Sequence, residues 1–213
     1  MASVTRRARA GTEQDTGPAM EARLLAALER LLDRGQTITA VSVDALAREA
    51  GIARATFYLH FRDKGELIAR LIARVEDEVV GAGGLWFVRA EDATYADLRA
   101  AMARFFEVYM RHRAILAAAA ESAPYDAQVA ALHTRMLTRF VAESAQAVQR
   151  IRDSGRAHPG LPPMVAEVLS WSVNHTYVQY GRELDSARRE AFIDTWAHVV
   201  WHTIFAAPDP AGH

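Results

Sequence analysis

Five side chains within eleven residues carry hydrogen-bonding chemistry suited to a nucleic acid: Arg54, Thr56, Tyr58, His60 and Lys64. A guanidinium can hold guanine O6 and N7 with two bonds, and a threonine hydroxyl can serve a base or a phosphate. A tyrosine hydroxyl can donate to a phosphate oxygen, which positions a protein without reading sequence. Lys64, the only lysine in the chain, stands between Asp63 and Glu66 in a D-x-x-E capping pattern. A cation in a first helical turn is mildly unfavourable, because that end already carries partial positive charge. It becomes favourable if an anion docks there, where free N–H groups and an ammonium together make a phosphate site. The plainer reading of the same residues is a solvated helix face with an idle lysine.

Two short helices must position these groups. Val43, Leu46, Ala47 and Ala50 fall on one helical face, and Ser42 precedes them where its oxygen can cap the first free N–H groups. Gly51 can turn the chain cheaply through a left-handed conformation. Ile52 then opens a second helix on which Phe57 and Phe61 can face inward, leaving Arg54, Thr56, Tyr58 and His60 outside. Two helices around a glycine turn are the helix-turn-helix, whose second helix enters the DNA major groove.

The run AREAGIARATFYLHFRDKGEL resembles the DNA-binding signature of the TetR family of bacterial repressors, over about the first third of the chain. The resemblance implies that Thr56, Tyr58 and Lys64 touch phosphate and that Arg54, Thr56 and His60 face bases, with Ser42 heading the same DNA-binding surface. One departure stands out: Ala53 occupies the place where the family often has serine, so the second helix lacks a side-chain cap. That loss costs on the order of 1 kcal/mol of helix stability.

Composition sets bounds on the rest. The chain has 213 residues, 51% of them hydrophobic, which is enough for a sizeable core, and no cysteine for disulfides, thiol catalysis or thiolate metal sites. No apolar run is long enough to span a membrane, and the N-terminus has no apolar signal segment, so no membrane is expected and a cytoplasmic location is. Net charge is −1, split as ten basic against eight acidic groups in residues 1–65 and 15 against 18 in the remainder. A mildly basic head on an acidic body suits a protein that offers DNA one end.

Four segments are expected. Residues 1–18 form a polar arm in which Arg6, Arg7 and Arg9 could reach a groove; 19–65 form the helix-turn-helix head; 66–206 form a body; 207–213 are a tail. A leucine stripe over 19–34 gives the head a third helix, and a fourth from 64 to about 80 joins head to body. Leu85, Trp86, Phe87 and Val88 follow the breaker GAGG in what reads as a loop. Helical patterns at 94–110, 112–121, 124–153, 162–182 and 187–206 complete an all-α fold of about nine helices.

An aromatic and methionine-rich body can enclose a cavity. Met102, Phe105, Phe106, Tyr109, Met136, Phe140, Trp171, Asn174, His175 and Tyr177 are its expected lining, with Asn174 orienting one polar group of a small apolar effector. The same stripe also reads as plain core. The aromatic-rich body and the T-F-Y triplet resemble the EthR-like branch of the family, which implies an elongated apolar ligand. Tyr180, Phe192, Trp196, Val200 and Thr203 on the last two helices are expected to pair with their copies in a homodimer. Two heads would then read a palindromic double-stranded operator.

Two other classes compete. His198 and His202, with Asp194 one turn earlier, could hold a metal in a helical enzyme, but no glutamate completes H-E-x-x-H, and no cofactor motif is present. A protein-binding scaffold leaves Arg54, Tyr58 and Lys64 unexplained. The expected function is therefore a ligand-responsive repressor and not an enzyme.

Overall fold

A computed structural model describes residues 17–180 and 184–206. Residues 1–16 of the expected arm 1–18, with Arg6, Arg7 and Arg9, and the tail lie outside them, while Gly17 and Pro18 open the first helix. Ten α-helices follow in order: α1 (Gly17–Asp33), α2 (Val43–Glu49), α3 (Arg54–His60), α4 (Lys64–Gly81), α5 (Leu85–Val88), α6 (Tyr95–Arg111), α7 (Arg113–Ser122), α8 (Ala127–Asp153), α9 (Val165–Tyr180) and α10 (Ser186–Ile204). Among the described residues there is no strand, only one isolated bridge between Ala157 and Phe205.

The all-α fold has one helix more than expected. The extra one is α5, where the sequence reads as a loop. A single turn is too short to show a period, but burial of Trp86 and Phe87 supplies the energy that propensity does not. Leu85 and Val88 stay exposed on its other side.

Helices α1, α2 and α3 form the head. Leu24, Leu28 and Leu31 of α1 bury against Leu46 of α2 and Phe57 and Phe61 around α3. Ser42 caps α2 by accepting from the Ala45 N–H at 3.1 Å. Gly51 has φ +67, the left-handed turn between the two helices that a side chain would strain. Arg23 of α1 reaches across and donates to the carbonyls of Ala50 and Gly51 at 2.9 and 3.0 Å, so the turn is pinned from behind.

In the body, α4 packs along α8 and against α7, α8 packs on α9, and α6 packs on α10. Glu76 of α4 is buried but holds Arg135 and Arg139 of α8, which keeps its charge paired. Thus α4 packs with the body, while its first two residues, Lys64 and Gly65, fall in the expected head segment 19–65.

Candidate nucleic-acid interface and effector cavities

Helix α3 divides cleanly. Phe57 is fully buried and packs on Phe61 with ring centroids 5.3 Å apart. Arg54 and Tyr58 face outward, with the guanidinium 5.5 Å from the tyrosine ring centroid. Arg54 also pairs with Asp44 of α2 at 2.7 Å. Both partners are exposed, so this pair is worth little in water and can open for a base at small cost. Thr56 and His60 are half-buried at the flanks of the same face. Ala53 has extended cap geometry but supplies no side-chain bond, so it leaves the N–H groups at the start of α3 without a bond from the cap residue.

Lys64 departs from expectation. Its Nζ donates to the carbonyls of Ile38 and Val41, the latter at 2.9 Å, in the link between α1 and α2. Burial pushes this ammonium below the ordinary lysine range, opposed by the nearby Glu121 carboxylate. The cation that looked poised for phosphate is a latch holding α4 to the head, and phosphate would have to compete with two carbonyls for it. The capping pattern is also modified. Asp63 accepts from the Glu66 N–H at 2.8 Å, but the Glu66 carboxylate turns to the Arg62 N–H, also at 2.8 Å. That N–H, with the Arg70 and Arg62 guanidiniums, holds the Glu66 carboxyl down to about 2.

The latch is one half of a clasp. Glu121, near the end of α7, accepts from the Ile38 N–H at 3.0 Å, the Thr39 N–H at 3.2 Å and the Thr39 hydroxyl at 2.8 Å. Arg113 at the start of α7 grips Asp33 at the end of α1 with two bonds of 2.7 and 2.9 Å. At the start of α4, Gly65 lies so close to Asp126, the cap of α8, that a Cβ would meet its Oδ2 at 1.9 Å. Head and body are thus joined through α4 and α7 together.

Two of the cavities touch the expected lining. The larger, about 210 Å³, sits at the seam under α1, between α6 and α7, and takes in Tyr109, Met110, Arg113 and Glu121. The smaller, about 40 Å³, is interior and apolar, with Trp86, Phe87, Met102, Phe105, Phe140 and Val200 among its walls. Of the expected lining, Met102, Phe105 and Phe140 reach the interior cavity and Tyr109 reaches the seam. Phe106, Met136 and Tyr177 are buried in neighbouring packing and line neither of these two cavities. The Asn174 amide oxygen is taken by the Tyr109 hydroxyl. Burial holds the Tyr109 phenol above its ordinary range, so it remains a donor.

Trp171 and His175 are corrected. Both are exposed on α9 and point away from the interior; Trp171 is 52% exposed. Helix α9 is apolar on more than one side, so its period alone does not say which side faces in. The reverse correction applies to α10: Val200 is buried against the interior cavity, and Phe192 packs on Phe106 and Tyr177 at 6.1 and 5.3 Å. Trp196 and Thr203 are half-buried, and Tyr180 is exposed. An apolar surface instead runs along α9 through Val168, Trp171 and Val178, with Val199 exposed on α10. As for the metal alternative, Asp194 is committed to Arg99 at 2.6 Å, while the His198 and His202 rings lie tilted to each other, 4.2 Å between centroids, on the exposed face. Among the described residues no group of three or more candidate ligands could hold a metal.

A pinned helix-turn-helix on a helical body defines the class, that of helix-turn-helix transcriptional regulators. Residues 24–71 match the model of bacterial regulatory proteins of the tetR family, and residues 98–206 match that of the C-terminal domain of the transcriptional regulator EthR. The chain belongs to the TetR family, with an EthR-type C-terminal domain. It is 29% identical over 195 residues to the HTH-type transcriptional regulator EthR of Mycobacterium tuberculosis, covering 90% of this chain and 89% of the relative. The protein of the same name from Mycolicibacterium smegmatis is also 29% identical, covering 89% and 88%. Among solved structures, the fold is similar to a TetR family regulator from Thermus thermophilus, with TM-score 0.69, 16% identity and coverage of 84% and 97%. A tetR-family regulator from Rhodococcus gives TM-score 0.69, 15% identity and coverage of 89% and 98%.

Proposed function

We propose that the protein is a homodimeric repressor in the cytoplasm, without enzymatic activity, that binds a palindromic operator and leaves it when a small apolar effector enters the body. The observation that carries this reading is the outer face of α3, where Arg54 and Tyr58 stand exposed on a helix whose other face is locked in the head core. Two such faces held a helical turn apart would read two half-sites. The apolar surface of α9, with Trp171 at its middle, supports pairing with a second copy. No described helix is long and apolar enough to cross a bilayer.

The interior cavity is the proposed effector site. At about 40 Å³ it holds little more than a water molecule, so an effector must part the Phe87, Phe105 and Phe140 rings, now 5.1 to 5.7 Å apart. Opening there displaces α8, on which α4 rests, and α4 carries the Lys64 latch to the head. The effector shifts operator affinity by its preference for the opened form and by no more than that.

Selection from a pool of random duplexes tests the reading. The protein should enrich an inverted repeat with half-site centres about 34–36 Å apart, and Trp171→Glu should sediment as a monomer that enriches none. Enrichment of unsymmetrical sites, or a Trp171→Glu protein that remains dimeric, would overturn the two-fold arrangement.

A further inference from the structure

The outer face of α3 carries a second row that the hydrogen-bonding chemistry leaves unused. Arg54 and Tyr58 form one row at i, i+4. Ala55 and Leu59, each one residue further along, form a parallel row of apolar groups. Leu59 is 83% exposed, in contrast with Phe57 and Phe61 at 0% and 2% on the opposite face. The head core does not use it, and helix propensity does not require it, since alanine would serve the helix at least as well. A leucine held in water on the face that meets DNA gains only if the DNA buries it. In the major groove the one apolar group on a base edge is the 5-methyl of thymine.

We propose that Leu59 is a specificity-determining residue that packs on the methyl group of one thymine in each operator half-site. The inference rests on α3 lying in the major groove, and it adds a base preference that Arg54 cannot supply. Arg54 discriminates guanine by donating hydrogen bonds; Leu59 discriminates thymine from cytosine, and from uracil, by burying one methyl group. The flanking Arg54–Tyr58 row supplies donors for guanine and phosphate beside the apolar pair, so the groups on this face fit one occupant, the DNA major groove.

The test replaces thymine by deoxyuridine in the selected operator, one symmetric pair at a time. The exchange removes the methyl and keeps base pairing. Affinity is read by fluorescence anisotropy. Burying one methyl contributes roughly fourfold, so the sensitive pair should weaken wild-type binding about fifteenfold. Leu59→Ala should bind the thymine and deoxyuridine operators alike. The exposed site predicts an unchanged melting curve for this variant, which separates a contact from a folding defect. Should Leu59→Ala bind too weakly to titrate, the comparison is made at lower salt, where phosphate contacts raise both affinities. A wild-type protein indifferent to deoxyuridine at every position, or a Leu59→Ala protein with the same penalty, overturns the proposal. Failure to enrich any duplex sequence would instead overturn the operator reading beneath it.

Discussion

Replacing Glu121 by alanine should uncouple the head from the body without touching the DNA-reading face. The carboxylate accepts three bonds from Ile38 and Thr39, and Ile38 is only 1% exposed, so its N–H has no ready access to water once the carboxylate is gone. Bonds of this kind contribute roughly 0.5–1.5 kcal/mol each, and orphaning a buried donor costs about 1–3 kcal/mol. Since the carboxylate is partly exposed, a total of about 2–4 kcal/mol is expected, felt first in the link between α1 and α2. Tryptophan fluorescence would miss it, because Trp86, Trp171, Trp196 and Trp201 all lie in the body. Amide hydrogen exchange over residues 38–41 is the suitable assay, and protection should fall roughly thirtyfold to several hundredfold. Operator affinity should fall with it, since Lys64 holds carbonyls of the same link.

The pH dependence has a definite sign. Burial pushes the Glu121 carboxyl up, but the Thr39 hydroxyl, the Ile38 and Thr39 N–H groups and Lys64 together hold it below the usual carboxylate range. A depressed value stabilises above the unfolded-state pKa near 4.5 and loses that contribution as pH falls through the folded value. The difference between wild type and Glu121→Ala should therefore be constant at neutral pH and shrink on acidification below about pH 4.5. Unchanged protection of residues 38–41 in Glu121→Ala would refute the clasp.

Two further substitutions probe the path from head to body. Ala53→Ser should add the missing cap to α3 and raise the melting temperature of the head, by a free energy of about 0.5–1 kcal/mol; no gain would mean the cap geometry is not used. Gly65→Ala should destabilise by about 1–3 kcal/mol and weaken operator binding, because its methyl would strike the Asp126 cap of α8; a variant as stable as wild type would show that this contact yields freely.

The helices were legible because their stripes repeat at the helical period, as Leu24, Leu28 and Leu31 do in α1. The outer face of α3 was legible for a related reason: Phe57 and Phe61 fix which side is inside. The clasp was not. Lys64 binds backbone carbonyls 26 and 23 residues away, and Glu121 binds amides 83 and 82 residues away, which no local pattern encodes. In α9 and α10 the period identified faces but not their neighbours. The period alone puts Trp171 inside and Val200 outside, the reverse of their positions. Leu59 carried a signal that could have been read: an apolar residue at the one position of TFYLHF that falls between the outward polar groups.

Whether Arg54 reads a base is settled most directly by comparing Arg54→Ala with wild type on the selected operator and on variants changed one base pair at a time. The account predicts that Arg54→Ala loses discrimination at one symmetric pair of positions, by about 1–3 kcal/mol, and keeps the preference elsewhere. An equal loss of affinity on every variant, with the full pattern of preferences retained, would contradict it.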